Sequence, residues 1–154
     1  MSSSETQAIS PTGSAVAGSG GDPTPVAADL SSKPLVYACS GCSDAGELAD
    51  RIARRLAGAG VAEMSCLAGI GGRVRSIMTK GEKAARILVI DGCPLNCARQ
   101  TLELAGLSHF DHLGLHEVGL RKGHCPVTEE GIAAGLAAAQ NLLQAPETRG
   151  PRRL

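Results

Sequence analysis

The 154-residue chain is poor in aromatic side chains, with one Tyr, one Phe and no Trp. Its 15 Lys and Arg residues are balanced by 15 Asp and Glu residues, so the formal net charge is zero. A nucleic-acid-binding protein usually needs a basic face and often aromatic platforms for stacking bases, so the sequence argues against that class. No apolar run approaches the roughly 18–20 residues that cross a membrane, which argues against a membrane protein.

The first 33 residues lack the features of a folded segment and of a secretory signal. They consist mostly of Ser, Gly, Ala, Thr and Pro, without Arg, a basic start or an apolar core. Such a segment cannot bury enough apolar surface to offset its ordering entropy, so we predict that residues 1–33 are disordered and of low complexity. Residues 146–154 are predicted to be a flexible tail, which assigns the folded domain to residues 34–145.

The remaining sequence alternates between strand-forming and helix-forming segments. Strands are predicted at 34–38, 61–65, 86–90 and 112–119. The third of them, RILVI, has the unbroken apolar character of a central strand that is buried on both faces. Alternation of strands and helices predicts parallel βαβ units, and hence a small three-layer Rossmann-like α/β fold with a mostly parallel sheet of about four strands.

Helices are predicted at 43–60, around 73–80, and at 98–106 and 128–144. Asp44 and Glu47 resemble a capping box at the start of the first helix. The glycine-rich segment AGIGG before the second helix is expected to be a turn. The buried stripe of the last helix is predicted to consist of Ile132, Leu136, Ala139 and Leu143.

Six cysteines are the chemically distinctive side chains of this sequence. Without a signal peptide they are expected in the reducing cytoplasm, where spaced thiols more often bind metal or do redox chemistry than form disulfides. Cys39, Cys66 and Cys93 each follow a predicted strand, and Cys97 lies four residues beyond Cys93. Because parallel strands bring their carboxyl ends to one edge, where open α/β sheets bind ligands, the four thiols are predicted to converge.

The segment VIDGCPLNCARQ (89–100) is expected to turn a buried strand into a helix. Pro94 suits the first position of a helix, so Cys93 is predicted to precede the helix and Cys97 to lie one turn inside it. The positive end of the helix dipole favours thiolates there, and the spacing can place both sulfurs on one metal ion. CSGC (39–42) has the same relation to the first helix.

Three ordered motifs, ACSGCSDAG, SCLAGIGG and VIDGCPLNCARQTLE, resemble those of the DGC domain. This bacterial and archaeal family is named for its Asp-Gly-Cys motif and is described as zinc-binding. The resemblance extends over roughly residues 35–120 and implies a set of four chelating cysteines, with Asp91 and Gly92 completing the motif: Cys39, Cys66, Cys93 and Cys97. Cys42 and Cys125 lie outside this set and are additional candidate ligands.

Four thiolates form the tetrahedral sulfur set that zinc prefers, so zinc is the predicted cofactor and an iron–sulfur cluster is the alternative. Such a site is closed and has no water to activate, which argues against a zinc hydrolase. The predicted function is metal binding, for metal handling or for metal or redox sensing, and a protein partner or a homodimer is left open. Asp91 is expected to orient the cysteines through hydrogen bonds and not to bind the metal.

The alternative to a metal-binding protein is an enzyme whose thiols transfer sulfur or electrons. The sequence favours the binding protein over the enzyme. CLAGIGGR (66–73) resembles the anion-binding loops of cysteine phosphatases and rhodanese-like sulfurtransferases, with its Arg one position later than in the phosphatases. CSGC resembles a thioredoxin-type redox pair. His109, His112 and His116 are expected to be mostly solvated, on or before an edge strand, and only His124, beside Cys125, is a candidate for the site.

Overall fold

The computed structural model describes residues 33–41 and 43–146, and the backbone of a short strand at 152–153. Its parallel sheet has the order β2-β1-β3-β4-β5. The strands are β1 (Leu35–Ala38), β2 (Glu63–Met64), β3 (Ile87–Asp91), β4 (Asp111–Gly114) and β5 (Arg152–Arg153). β5 falls in the predicted tail, whereas the N-terminal segment predicted to be disordered lies, apart from Lys33, outside the described residues.

The described residues form five α-helices, which cover both faces of the sheet. The helices are α1 (Asp44–Gly58), α2 (Leu67–Gly71), α3 (Arg75–Lys83), α4 (Cys97–Leu104) and α5 (Glu129–Gln144). A 3₁₀ helix at Leu115–Val118 follows β4. This alternation of parallel strands and helices confirms the predicted Rossmann-like α/β fold. None of the helices in the described ranges is both long enough and apolar enough to cross a membrane.

The two central strands direct their side chains alternately into two apolar clusters. Val36, Ala38, Leu88 and Ile90 pack on one face against α1 and α5. Leu35, Tyr37, Ile87 and Val89 pack on the other face with residues from α2, α3 and α4. Every residue of β1 and β3 is buried, which explains the absence of polar alternation in these two segments.

The glycine-rich segment expected to be a turn is the short helix α2. Ile70 is fully buried in the cluster on this face of the sheet. A Cβ on Gly69 would lie 2.9 Å from Cγ1 of Ile77, so glycine permits close packing of α2 on α3. Tertiary packing here outweighs the low helix propensity of glycine.

The fourth strand is shorter than the sequence predicts. β4 ends at Gly114, and the next four residues form the 3₁₀ helix, which closes at Gly119 with a φ of 88°. Leu113 and Leu115 are both buried in the cluster against α1 and α5. The apolar alternation that indicated a long strand therefore comes from a strand and a turn that bury their leucines in the same cluster.

The first and last helices agree with the prediction except in detail. Ser43 is the N-cap of α1 and accepts a hydrogen bond from Gly46 N at 3.1 Å, so Asp44 is not the capping residue. In α5 the fully buried positions include Ile132, Ala139 and Leu142. The predicted Leu136 and Leu143 are only partly buried, whereas Gly135 faces α1 so closely that a Cβ there would overlap Cδ1 of Ile52.

Candidate thiol and metal site

A cleft of about 500 Å³ opens at the carboxyl edge of the sheet. The loops after β1 and β3 form two of its walls. The helices α2 and α4, which pack on the same face of the sheet as each other, contribute further lining residues. This is the edge at which open parallel sheets bind ligands. The cleft is lined by Cys39, Ser40, Gly41, Ser43, Gly46, Leu67, Ala68, Gly71, Gly92, Cys93, Leu95, Cys97, Thr101 and Lys122.

The structure brings three of the four predicted cysteines to this cleft, namely Cys39, Cys93 and Cys97. Cys66 lies directly before α2, whose residues Leu67 and Ala68 line the cleft, but its own thiol is not part of the lining. Its sulfur instead accepts a hydrogen bond from Gly69 N at 3.3 Å and caps α2. The predicted convergence is therefore present for three thiols, while the fourth lies at the margin.

Two glycine contacts bring the loops after β1 and β3 close together. A Cβ on Gly92 would overlap the carbonyl oxygen of Ala45 and lie 2.9 Å from Gly46 N, so only glycine lets the β3 loop rest on the first turn of α1. A Cβ on Gly46 would lie 2.7 Å from Gly41 N, so glycine at position 46 lets the loop after β1 fold back onto the same turn of α1. The middle residue of the Asp-Gly-Cys motif is thus required by close backbone contact.

Cys39 is a partly buried thiol of the cleft. Its sulfur accepts a hydrogen bond from Gly92 N at 3.1 Å, which ties the loops after β1 and β3 to each other. Burial raises the pKa of the Cys39 thiol to about 11; the Gly92 hydrogen bond opposes this shift, and the charges of Asp91, Cys93 and Cys97 add to it. Cys39 therefore needs a metal ion or another cation beside it to become a thiolate near neutral pH.

The segment between Cys93 and Cys97 is a turn and not the first part of a helix. Asn96 N donates to Cys93 O at 3.1 Å, and Asn96 has a left-handed φ of 50°. α4 begins only at Cys97, so Pro94 does not start the helix and Cys97 is its first residue. Pro94 occupies the second position of a four-residue turn, which its fixed φ also suits.

Asp91 is the acceptor that holds the start of α4. Its carboxylate is 1% exposed; Oδ1 accepts the N–H of Ala98 at 2.8 Å, and Oδ2 accepts the N–H of Arg99 at 3.0 Å. The N-cap residue Asn96 makes no side-chain capping bond, so Asp91 replaces it from the end of β3. These bonds fix the position of Cys97 without bringing the carboxylate into the lining of the cleft.

His112 is the residue of this region that the sequence assigned wrongly. It is 1% exposed and not solvated, and its Nε2 lies 3.0 Å from Oδ2 of Asp91. His112 pairs with Val89 in the β3–β4 register, so the two side chains share a face of the sheet. Asp91 lies two residues after Val89 in β3 and is therefore on the same face as His112. The two-residue period of the strands was the sequence signal that could have placed His112 on the same face as Asp91. His124, the preferred histidine candidate, is exposed and does not line the cleft.

Cys125 belongs to a different environment from the cleft thiols. It is 4% exposed within the cluster against α1 and α5, and burial raises the pKa of its thiol. The loop before it is held by Asp44, whose oxygens both accept the N–H of Gly123 at 2.9 Å and one of which accepts Cys125 N at 3.2 Å. This clamp holds the neighbouring Lys122 beside the cleft.

The donor chemistry of the cleft suits a soft metal ion, because thiolates are the preferred ligands of zinc and of iron–sulfur clusters. The positions of the donors fit less well. Within residues 33–41 and 43–146, no three His, Cys, Asp or Glu side chains lie close enough together to hold a metal ion. Cys42, an additional candidate ligand, lies outside the described residues. The sulfurs as they stand therefore do not form a completed metal centre.

The fold and the cleft define a Rossmann-like α/β domain that brings cysteines together at the carboxyl edge of a parallel sheet. A family model for the DGC domain matches residues 35–139, and the chain belongs to this family, as the sequence motifs predicted. The chain is 47% identical over 89 residues to the anaerobic and virulence modulator AnvM of Pseudomonas aeruginosa. That alignment covers 58% of this chain and 68% of AnvM. No solved structure matches the chain.

Proposed function

We propose that this protein is a regulatory protein that works by binding a soft metal ion, with zinc as the favoured ion, through the cysteines of the cleft. The observation that carries the proposal is the position of Cys39, Cys93 and Cys97, which come from separate parts of the sequence and line one cleft. A regulatory role is supported by the similarity to AnvM, whose name describes a modulator.

The proposed ligands are Cys39, Cys66, Cys93 and Cys97, with Cys42 as a further donor in the loop after β1. Their sulfurs would have to move together when the metal binds, since no three donors are grouped in the described residues. Asp91 would hold α4 in place from behind, because its carboxylate is already engaged by two backbone N–H groups. We place the protein in the cytoplasm, where the described cysteines, all of them free thiols, would stay reduced.

Metal analysis combined with intact-mass measurement tests the proposal on protein purified without air. We expect about one zinc ion per chain, and protection from alkylation of about four of the six thiols. Cys97→Ser should lower the metal affinity sharply, whereas Cys125→Ser, in a buried position outside the cleft, should change it little. Metal-free protein from zinc-replete cells would rule out the zinc proposal, and equal loss in both variants would rule out this ligand set.

A thiol enzyme is the second candidate, favoured by the free and exposed thiol of Cys97 in the cleft, and an iron–sulfur cluster on the same cysteines is the alternative to zinc. Colour separates the two alternatives, because an iron–sulfur cluster absorbs visible light and a zinc site does not. Sulfur released by cyanide from the purified protein would favour a persulfide carrier. A colourless protein with zinc and no releasable sulfur would exclude both.

A further inference from the structure

The cleft offers more space than a metal centre uses. A metal ion bound by four sulfurs contacts its ligands directly and leaves no room between them. The cleft has a volume of about 500 Å³, which falls within the range of roughly 300–1,000 Å³ that is typical of pockets for small organic molecules. Its size therefore points to an organic ligand as well as to thiol chemistry.

The lining of the cleft defines the chemistry of such a ligand. Leu67, Ala68 and Leu95 give it an apolar wall, and Leu95 keeps 63% of its surface exposed. Lys122 is the one charged side chain among its lining residues in the described part of the chain. Asp91 lies behind the cleft, is 1% exposed and is already hydrogen-bonded, so the lining favours a negatively charged group on the ligand.

The position of Lys122 is held by the fold. The next residue, Gly123, donates its N–H to both carboxylate oxygens of Asp44 at 2.9 Å, at the first residue of α1. Ser43 and Gly46 from the same turn of α1 line the cleft beside it. The lysine is thus placed on the side of the cleft that α1 forms.

We propose that the cleft binds a low-molecular-weight disulfide that carries negative charge, and that Cys97 exchanges with it. The proposal deepens the assignment of this cleft as a thiol site. The thiolate of Cys97 attacks one sulfur of the disulfide, the S–S bond of the ligand breaks, and a mixed disulfide forms on Cys97. The other half leaves as a thiolate, so the sulfur of Cys97 is oxidised, the leaving sulfur of the ligand is reduced, and the number of disulfide bonds stays the same.

Cys97 is the reacting thiol because it is exposed and lies at the first residue of α4. Cys39, by contrast, is partly buried and hydrogen-bonded to Gly92 N. Lys122 binds the acidic group of the ligand and takes no part in the exchange. Replacing the lysine should therefore change which disulfides react without removing the reacting sulfur.

Three aliphatic disulfides of different charge test the proposal, and each rate is taken relative to the rate of the same disulfide with free N-acetylcysteine. Glutathione disulfide is anionic, cystamine is cationic and bis(2-hydroxyethyl) disulfide is neutral. Each is added to the full-length protein as purified and again after removal of metal with a chelator, and the rate of modification of Cys97 is followed by intact-mass and peptide mass spectrometry. We expect the anionic disulfide to react at least about fivefold faster than the cationic one, the ratio that one charge pair gives in water.

Lys122→Glu should lower or reverse this preference, whereas Lys83→Glu supplies the matched control. Lys83 is the last residue of α3 and precedes β3, so it lies at the amino edge of the sheet, away from the cleft at the carboxyl edge. Its replacement by Glu changes the net charge by the same amount. High salt should also weaken the preference in the wild-type protein, since it screens exposed charges. The comparison of the two lysine variants separates binding in the cleft from general attraction to the protein, whereas the salt effect shows only that the preference is electrostatic.

Equal rates for the three disulfides, an equal effect of both lysine variants, or modification mainly of Cys66 or Cys125 would overturn the proposal. No modification before or after chelation would overturn it as well. The outcome is independent of the metal proposal: a protein without zinc can still prefer the anionic disulfide, and a zinc protein can react without any preference.

Discussion

Replacing Asp91 by alanine should destabilise the domain and release the start of α4. The carboxylate accepts the N–H groups of Ala98 and Arg99 at 2.8 and 3.0 Å and lies 3.0 Å from Nε2 of His112. Alanine would leave these donors without an acceptor, and each such buried group costs about 1–3 kcal/mol. We therefore expect a loss of at least about 3 kcal/mol from the roughly 5–15 kcal/mol that stabilises a typical domain.

Asp91→Asn changes fewer of these bonds. The amide oxygen can still accept the N–H of Ala98, and the amide nitrogen can donate to Nε2 of His112 if the imidazole carries its hydrogen on Nδ1. Nδ1 is buried and has no hydrogen-bond partner among the described residues, so the same nitrogen is left unpaired in either tautomer. Only the N–H of Arg99 then loses its acceptor, and we expect a loss of about 1–3 kcal/mol.

Urea unfolding measures the loss of stability, and amide hydrogen exchange reports on Ala98 and Arg99 individually. Both amides should exchange faster in Asp91→Ala through local opening. Leu113→Ala serves as the control: it removes a fully buried side chain from the neighbouring strand, at a cost of about 2–5 kcal/mol, without touching these bonds. If Asp91→Ala were as stable as the wild type, or if the control exposed the same two amides equally, the assigned role of Asp91 would be refuted.

Three further predictions concern the surroundings of the thiols. In protein from which metal has been removed with a chelator, alkylation of Cys39, followed by peptide mass spectrometry, should accelerate about tenfold per pH unit up to about pH 11, because burial raises the pKa of this thiol and only the thiolate reacts; a plateau near pH 8 would contradict this. Gly92→Ala should lower the unfolding temperature and disturb the thiols, whereas Gly41→Ala, whose methyl group would meet nothing within 4 Å, should do neither. Hydrogen bonds from Gly123 and other backbone N–H groups lower the pKa of Asp44 from 3.8 to about 2, so its anion stabilises the fold above pH 3.8 and this contribution is lost as the pH falls towards 2. The unfolding temperatures of Asp44→Ala and wild type should therefore converge in that range, and a constant difference would argue against the clamp.

The fold could be predicted from the sequence where a strong pattern coincided with burial. β3 and β1 lie at the centre of the sheet, so their apolar runs were unambiguous. The convergence of Cys39 and Cys93 followed from parallel topology alone, because each cysteine comes after one of these two strands. The family assignment followed from motifs at the same edge.

The start of α4 and the burial of His112 could not be predicted in the same way. Both depend on Asp91, a single carboxylate that bonds residues seven, eight and 21 positions further along the chain. Pro94 is equally compatible with a helix start and with a turn, and the choice is made by the acceptor that lies opposite the backbone N–H groups. Local propensity carries no information about such a partner.

The contact between Gly92 and the first turn of α1 joins parts of the molecule that could otherwise move separately. The loop after β3 rests on Ala45 and Gly46 without an intervening side chain, and the residue before them, Asp44, holds the loop that contains Gly123. A displacement of the thiol loops therefore pushes directly on backbone atoms and not on side chains that could adjust. These backbone contacts therefore connect the cysteines to the exposed loop beside Lys122 through the first turn of α1.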